Sequence, residues 1–208
     1  MTQKITRIDE TYPLDPLFMV APASELQTLK QELNLLPAGY AWIEPQEILS
    51  FRHQWAALLV ELGFVTSEDK ALSIFDAMYQ KDSAYFIHHL YAIKSLKDNH
   101  LACSVGLWYG SAFLNHKRIH WMMTSPQDQH QGLARAALKK AMNSLAQEEP
   151  NQDLYLSTQA ASWPAIVLYE SLGFQPYLDT CSKVSASENQ ARWRTAKELV
   201  LTRQGIVI

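Results

Sequence analysis

Cysteine is nearly missing. Cys103 and Cys181 are the only two in 208 residues, too few and too far apart for a disulfide framework or a thiolate metal site. No run approaches the roughly 18 apolar residues of a membrane span. The opening MTQKITRIDETYP lacks the apolar stretch of a signal peptide, so a reducing cytoplasm is the expected location. Basic excess is lacking too. With 18 Lys and Arg against 21 Asp and Glu the net charge is −3, which argues against nucleic acid as the main partner. Internal repeats and low-complexity tracts are absent. No Gly-Lys-Ser/Thr follows a glycine loop and no G-x-G-x-x-G occurs, which excludes a P-loop and a dinucleotide fingerprint. His88, His89 and His116 have no carboxylate or cysteine at ligand spacing, so no metal site is expected. The apolar fraction of 48% is ample for a core.

What is present concentrates in Ile119 to Leu145. A strand-like run, Ile119 to Thr124, turns through Ser125, Pro126, Gln127 and Asp128. It then enters a helix with Leu133, Ala137, Leu138, Ala141, Met142 and Leu145 on one stripe. The junction carries Gln129, Gly132 and Ala134, a Q-x-x-G-x-A pattern. A helix start has unpaired N–H groups and the positive end of its dipole, and small residues let an anion approach them. Lys117, Arg118, Arg135, Lys139 and Lys140 face a single acid, Asp128, over this stretch. That local excess suits a phosphate-rich ligand. An ordinary strand–turn–helix would show the same residues, so this block does not decide alone.

A second block, Leu154 to Phe174, reads as a buried strand (Leu154 to Thr158) followed by a helix. Ser162 is its expected cap, Pro164 lies in its first turn and Gly173 marks its end. Ala165, Leu168 and Leu172 are the expected core stripe.

Together the two blocks resemble the GNAT superfamily of acyl-CoA-dependent N-acetyltransferases. Gln129, Gly132 and Ala134 resemble its pyrophosphate motif Q/R-x-x-G-x-G/A. Ala165, Leu168, Tyr169, Gly173 and Phe174 resemble its A-x-x-L-Y-x-x-x-G-F signature. Ser162 departs from the Asn found in many members. The resemblance covers about Gly39 to the C-terminus. It implies an α/β (α+β) fold with a mixed, mostly antiparallel central sheet flanked by helices and its fourth and fifth strands splayed. Residues 1–38 would add an N-terminal arm and helix to an acetyltransferase domain at 39–208.

Elsewhere, Ser24 with Gln27 predicts a helix through Leu26, Leu29, Leu33 and Leu36. Residues 1 to about 22 read as an arm. A short strand is expected at Tyr40 to Ile43, and helices at Glu47 to Leu62 and from Thr66 or Ser67 to Met78. Strands are expected at Tyr85 to Ile93, Leu101 to Ala112 and Arg118 to Thr124, with a turn at Lys97-Asp98-Asn99. Tyr177 to Val184 and Glu198 to Thr202 read as further strands.

The implied reaction is acetyl transfer from acetyl-CoA to a primary amine. The resemblance implies cofactor contacts from Met122, Met123, Thr124, Gln129, Gln131, Gly132, Leu133, Ala134, Arg135 and Ser162. A free strand N–H of Met122 or Met123 would stabilise the developing oxyanion, a contribution of about 3–4 kcal/mol. Tyr169 is the expected acid for the leaving thiolate. An amine of pKa near 10.4 is only about one-thousandth neutral at pH 7, a penalty of roughly 4.6 kcal/mol without a base. His120 is the first candidate base, Glu44 and His88 weaker ones, and water can also carry the proton. Trp42, Trp55, Trp108 and Trp121 could line an acceptor pocket or belong to the core. The expected partners are acetyl-CoA and an amine acceptor, without nucleic acid or membrane; a homodimer is compatible with the sequence. The rival reading is an acyl-CoA-binding module without turnover.

Overall fold

The computed structural model describes residues 15–29, 35–113, 116–181 and 184–203. In chain order the elements are β1 (Leu17–Ala21), α1 (Ala23–Leu29), β2 (Tyr40–Trp42), a 3-10 helix (Pro45–Phe51), α2 (Arg52–Glu61), α3 (Glu68–Lys81) and α4 (Ser83–His89). They continue with β3 (Leu90–Ser95), β4 (Leu101–Tyr109), β5 (Lys117–Thr124), a 3-10 turn (Pro126–Asp128) and α5 (Leu133–Glu148). The chain closes with β6 (Leu154–Thr158), a 3-10 turn (Ala160–Ser162), α6 (Trp163–Glu170), β7 (Gln175–Pro176) and α7 (Ala186–Arg203).

The strands form one sheet in the order β2-β3-β4-β5-β6-β1-β7, mixed and mostly antiparallel, as the resemblance implies. β5 and β6 are parallel, and their register covers only Lys117↔Leu154 and Arg118↔Tyr155. Packing divides the chain into two compact units. Among the described residues, one comprises 35–108 and 119–144, the other 15–29, 109–113, 116–118, 145–181 and 184–203.

In the first unit the core is aromatic. Trp55, 1% exposed, meets Phe75 edge-on at 5.4 Å and Trp121 at 6.0 Å, and Phe75 meets Phe86 at 4.8 Å. Each such pair adds about 0.5–1.5 kcal/mol beyond area burial. Ser67 caps α3 by accepting from Lys70 N–H at 3.3 Å. On α5 the stripe residues of this unit, Leu133, Ala137, Leu138, Ala141 and Met142, are all buried, and so is Leu145 of the second unit.

In the second unit β1 is antiparallel to β6 across five residue pairs and to β7 across two. Its residues Leu17, Phe18, Met19 and Ala21 are buried. Trp193 of α7, Leu26 of α1 and Phe174 are also buried there. Gly110 stands against Tyr155: a Cβ added at Gly110 would lie 2.3 Å from the ring and 2.6 Å from the His116 carbonyl oxygen. The Tyr155 hydroxyl accepts from Ser111 N–H at 2.9 Å and Ala112 N–H at 3.2 Å.

Several expectations need correction. Tyr85–His89 is helix, not strand, because Asp82 accepts from Tyr85 N–H at 3.1 Å and caps α4. His88 and His89 are therefore helical neighbours. The helix expected over Glu47–Leu62 begins as a 3-10 segment up to Phe51. Of the stretch read as an arm, Leu17–Ala21 is a strand within the sheet; the helix expected through Leu36 is described only to Leu29, and Leu33 lies outside the described residues. The strand expected at Tyr177–Val184 is reduced to an isolated bridge, Cys181 with Val184. Glu198–Thr202 lies in α7. There Ser185 and Glu188 make a reciprocal capping box, and Trp193, Ala196 and Val200 recur at helical spacing on the buried side. On α6 the buried residues are Ile166 and Tyr169, so the stripe is rotated by one residue from Ala165 and Leu168.

Gly110→Ala should destabilise the protein by about 1–3 kcal/mol, the cost of forcing a methyl into a filled contact between ring and backbone. Urea unfolding of the two proteins measures it, and equal midpoints would refute the steric account.

Candidate active site

β5 is built to present backbone. Trp121 adopts φ +48, the left-handed region that a bulky side chain rarely occupies. Its ring is held by Trp55 and by Phe64, whose centroid lies 6.1 Å away. The left-handed residue breaks regular strand geometry just before Met122 and Met123, the pair expected to supply the oxyanion donor. Across the ladder β4 carries Gly106, where an added Cβ would come within 3.1 Å of the His120 carbonyl oxygen. A larger residue there would push His120 and the irregular segment away. Met123 is 1% exposed and packs into the aromatic core, while Met122 is partly exposed. Thr124 Oγ1 donates to Cys103 Sγ at 3.5 Å. Burial pushes the Cys103 thiol up to about 12, so this cysteine is no nucleophile.

The turn after β5 hangs from β4, with Ser125 N–H donating to the Ala102 carbonyl at 2.8 Å and Asp128 N–H to the Ser125 carbonyl at 2.9 Å. The chain then takes two left-handed steps, His130 at φ +64 and Gly132 at φ +78. An added Cβ at Gly132 would meet nothing within 4 Å, and His130, Gln131, Gly132 and Arg135 are exposed. Leu133, at the first position of α5, is buried and Ala134 half-buried. The first-turn N–H groups of this 16-residue helix have no intrahelical partner. An anion could approach them over the bare face of Gly132.

The basic excess read from the sequence is largely spent inside the protein. Lys117 Nζ lies 3.1 Å from Glu149 Oε1. Arg118 donates to Ser157 Oγ at 2.7 Å, and burial lowers its pKa. Lys140 sits 4.1 Å over the Trp42 ring, and desolvation lowers its pKa also. Arg135 is exposed in the first turn of α5.

The second block lies on α6. Ser162 occupies the cap position without a side-chain cap bond, because its backbone (φ −96, ψ 34) is not the extended conformation a capping serine needs. Tyr169 is 6% exposed, its ring edge-on to Phe174 at 5.9 Å, and burial raises its pKa above the phenol's ordinary value of about 10. Gly173 is left-handed at φ +87, as expected of a helix-ending glycine.

His120, Met122, Met123, Thr124, Gln129, Gln131, Gly132, Leu133, Ala134 and Arg135 thus form one continuous passage from irregular strand to helix start; Ser162 and Tyr169 belong to the other unit. His120 is half-exposed and tilted against Trp121 at 4.4 Å. Glu44 is engaged at the start of the 3-10 helix, its N–H donating to Glu47 Oε2 at 3.3 Å, and His88 is exposed on α4. Trp55 is core. Sequence reasoning missed Gly106, the left-handed Trp121 and the bonds of Asp128. Glycine opposite a strand histidine leaves a weak trace in sequence; the other two leave none.

Cys103 should resist a thiol reagent such as a maleimide in the native protein and react at the free-cysteine rate only after unfolding. Mass spectrometry of labelled peptides reads the difference, and native-state labelling of Cys103 would contradict its burial.

The family model of the acetyltransferase (GNAT) domain matches residues 88–176. A GCN5-related N-acetyltransferase from Sphaerobacter thermophilus superposes with TM-score 0.59 at 17% identity, over 80% of this chain and 50% of that one. A tandem GNAT protein from the clavulanic acid biosynthesis pathway gives TM-score 0.58 at 15% identity, over 83% and 52%. A structure from Bordetella pertussis named for the same family gives 0.54 at 20% identity, over 70% and 90%. The chain spans about half the length of the first two. Comparison with curated proteins returned no sequence match. No helix among the described residues is long and apolar enough to cross a membrane. Residues 88–176 are thus similar in sequence to the GNAT acetyltransferase domain, and the chain shares the fold of structures named for that family.

Proposed function

We propose that the protein transfers an acetyl group from acetyl-CoA to a primary amine by direct attack. The observation that carries this reading is the exposed start of α5, reached over Gly132, which has a left-handed backbone and open space where a side chain would stand. Oriented N–H groups at a bare helix start suit a diphosphate. Gln129, Gln131, Gly132, Leu133, Ala134 and Arg135 would hold it, and Ser162 would add a polar contact to the pantetheine arm. Acetyl-CoA supplies the thioester.

The residues of β5 would do the chemistry next to it. An N–H of Met122 or Met123, turned by the left-handed Trp121, would bond the thioester oxygen as it gains charge, a preorganised donor of about 3–4 kcal/mol. His120, half-exposed on the same strand, would take the amine proton. Tyr169 would hold a proton for the departing thiolate. A phenol whose pKa is raised by burial stays protonated near neutral pH, as a donor must. A primary amine in the cytoplasm is the acceptor class this chemistry serves.

Tyr169→Phe should lower turnover about 10²-fold while CoA affinity stays within twofold. Thiol release and calorimetry measure the two, and equal loss in both would remove its role as acid. Gly132→Glu should abolish CoA binding through strain at positive φ and a repelling charge; calorimetric binding at wild-type strength would exclude the turn as the diphosphate site. Tight CoA binding by the wild type without thiol release, across a panel of primary amines, would favour the non-catalytic module instead.

A further inference from the structure

Behind the exposed turn lies a polar chain that the acetyl-transfer reading does not use. Asp128, last residue of the 3-10 turn and 5% exposed, has both carboxyl oxygens engaged. Tyr40 of β2 donates its hydroxyl to Oδ1 at 2.8 Å, and His100 Nε2 lies 2.7 Å from Oδ2. His100 Nδ1 is hydrogen-bonded in turn to Asp98 Oδ1. An imidazole facing a carboxyl oxygen at each nitrogen can donate to both only when it carries two protons. With one proton, one of the two nitrogens presents a lone pair to a carboxyl oxygen and that bond is lost.

Asp128 immediately precedes Gln129 and stands four residues before Gly132. Its buried, doubly bonded carboxyl therefore anchors the turn, while His130, Gln131 and Gly132 just after it stay exposed. We propose that His100 is a positioning residue of the diphosphate-binding turn: the doubly protonated ring holds Asp128, and with it the open turn, so that CoA binds more weakly once the ring loses a proton. This rests on the proposed acyl-CoA reading.

The carboxylates facing His100 agree with this assignment, and the Gln127 side-chain amide, 3.0 Å from Nε2, fits it when its oxygen and not its nitrogen faces the ring. Asp98 comes from the turn between β3 and β4, Asp128 and the neutral Gln127 from the 3-10 turn, and the neutral Gln54 of α2 accepts from the adjacent Leu101 N–H at 2.7 Å. Tyr40, on β2, has its phenol pushed up by burial and by Asp128, so it remains a donor throughout. For His100 itself burial pulls the pKa down, but hydrogen bonding to Asp128 and Asp98 outweighs it and the net shift is upward. A raised folded pKa means stabilisation that is complete below the unfolded value of about 6.5 and lost as pH climbs through the folded value.

The test is CoA affinity by calorimetry from about pH 6 to pH 9 for the wild type, His100→Gln and Tyr40→Phe, with the His100 titration followed by NMR. CoA's own ionisations are common to all three and cancel in the comparison. His100→Gln should bind about tenfold more weakly near pH 6.5 and converge with the wild type near pH 9. Tyr40→Phe should weaken binding while keeping the pH step, and it serves should His100→Gln fail to fold. Parallel curves for wild type and His100→Gln, or loss of the step in Tyr40→Phe, would overturn the proposal. Absence of CoA binding by the wild type at every pH would instead defeat the acyl-CoA reading. Amide exchange over residues 129–134 of the unliganded protein then decides for His100: acceleration above its measured pKa supports the role, and exchange following the intrinsic pH trend overturns it.

Discussion

Asp128 is buried, yet its carboxyl belongs to a segment whose next residues lie exposed at a helix start. A helix start that must stay uncovered for a ligand cannot be braced from the front. Its N–H groups have no intrahelical partners, and covering them with side chains would fill the site. The bracing therefore comes from behind and from below. Tyr40 and His100 hold the carboxyl, Ser125 holds the backbone to β4, and Leu133, Ala137, Leu138, Ala141 and Met142 bury the underside of α5. At about 1.5–3 kcal/mol per large apolar side chain, that stripe outweighs the cost of the exposed turn.

The cost is local and has an address. His130 and Trp121 are non-glycine residues in left-handed conformations, worth on the order of 1–3 kcal/mol each. Trp121 is repaid by its ring, which meets both Trp55 and Phe64. His130 has an exposed side chain, and its backbone is set by the hung turn before it and the anchored helix after it. Strain at both ends of the passage from strand to helix fits a segment selected for what its backbone presents and not for regularity.

How much of this could be read from the chain depends on distance along it. Ile119 to Leu145 was legible because a strand, a proline turn, a glycine and a helical stripe follow one another within 27 residues, each with a local signature. β6 was legible for the same reason. Tyr85–His89 was misread as strand because aromatic residues favour strands, while the deciding cap, Asp82, lies before the run. The C-terminal helix was misread although Ser185 and Glu188 spell a capping box; Leu199 and Val200 in succession resemble a strand. In consequence the sheet's remaining strand comes from the N-terminus, where Leu17–Ala21 pairs with both β6 and β7. A five-residue run without alternation gives no sign of which neighbours it will find. The Asp128 network was invisible because Tyr40 and His100 stand 88 and 28 residues away from it.

The burial of Tyr169 bears on which proton it can serve. Acetyl transfer needs one group to accept a proton from an amine and another to give one to a thiolate, and a single environment favours only one of these. Desolvation penalises a phenolate, so it raises the phenol's pKa and makes the group a poor base at any working pH. The same desolvation would penalise a thiolate leaving beside a buried hydroxyl, which increases the thiolate's demand for a proton. Both shifts are upward, so they oppose each other: the phenol releases its proton less readily while the thiolate takes one up more readily. A half-exposed imidazole such as His120 is under the opposite condition, since water can carry away the proton it accepts. On the proposed reading the two proton tasks would divide by exposure, with a buried donor and a wet acceptor, and that division is what burial at Tyr169 would contribute.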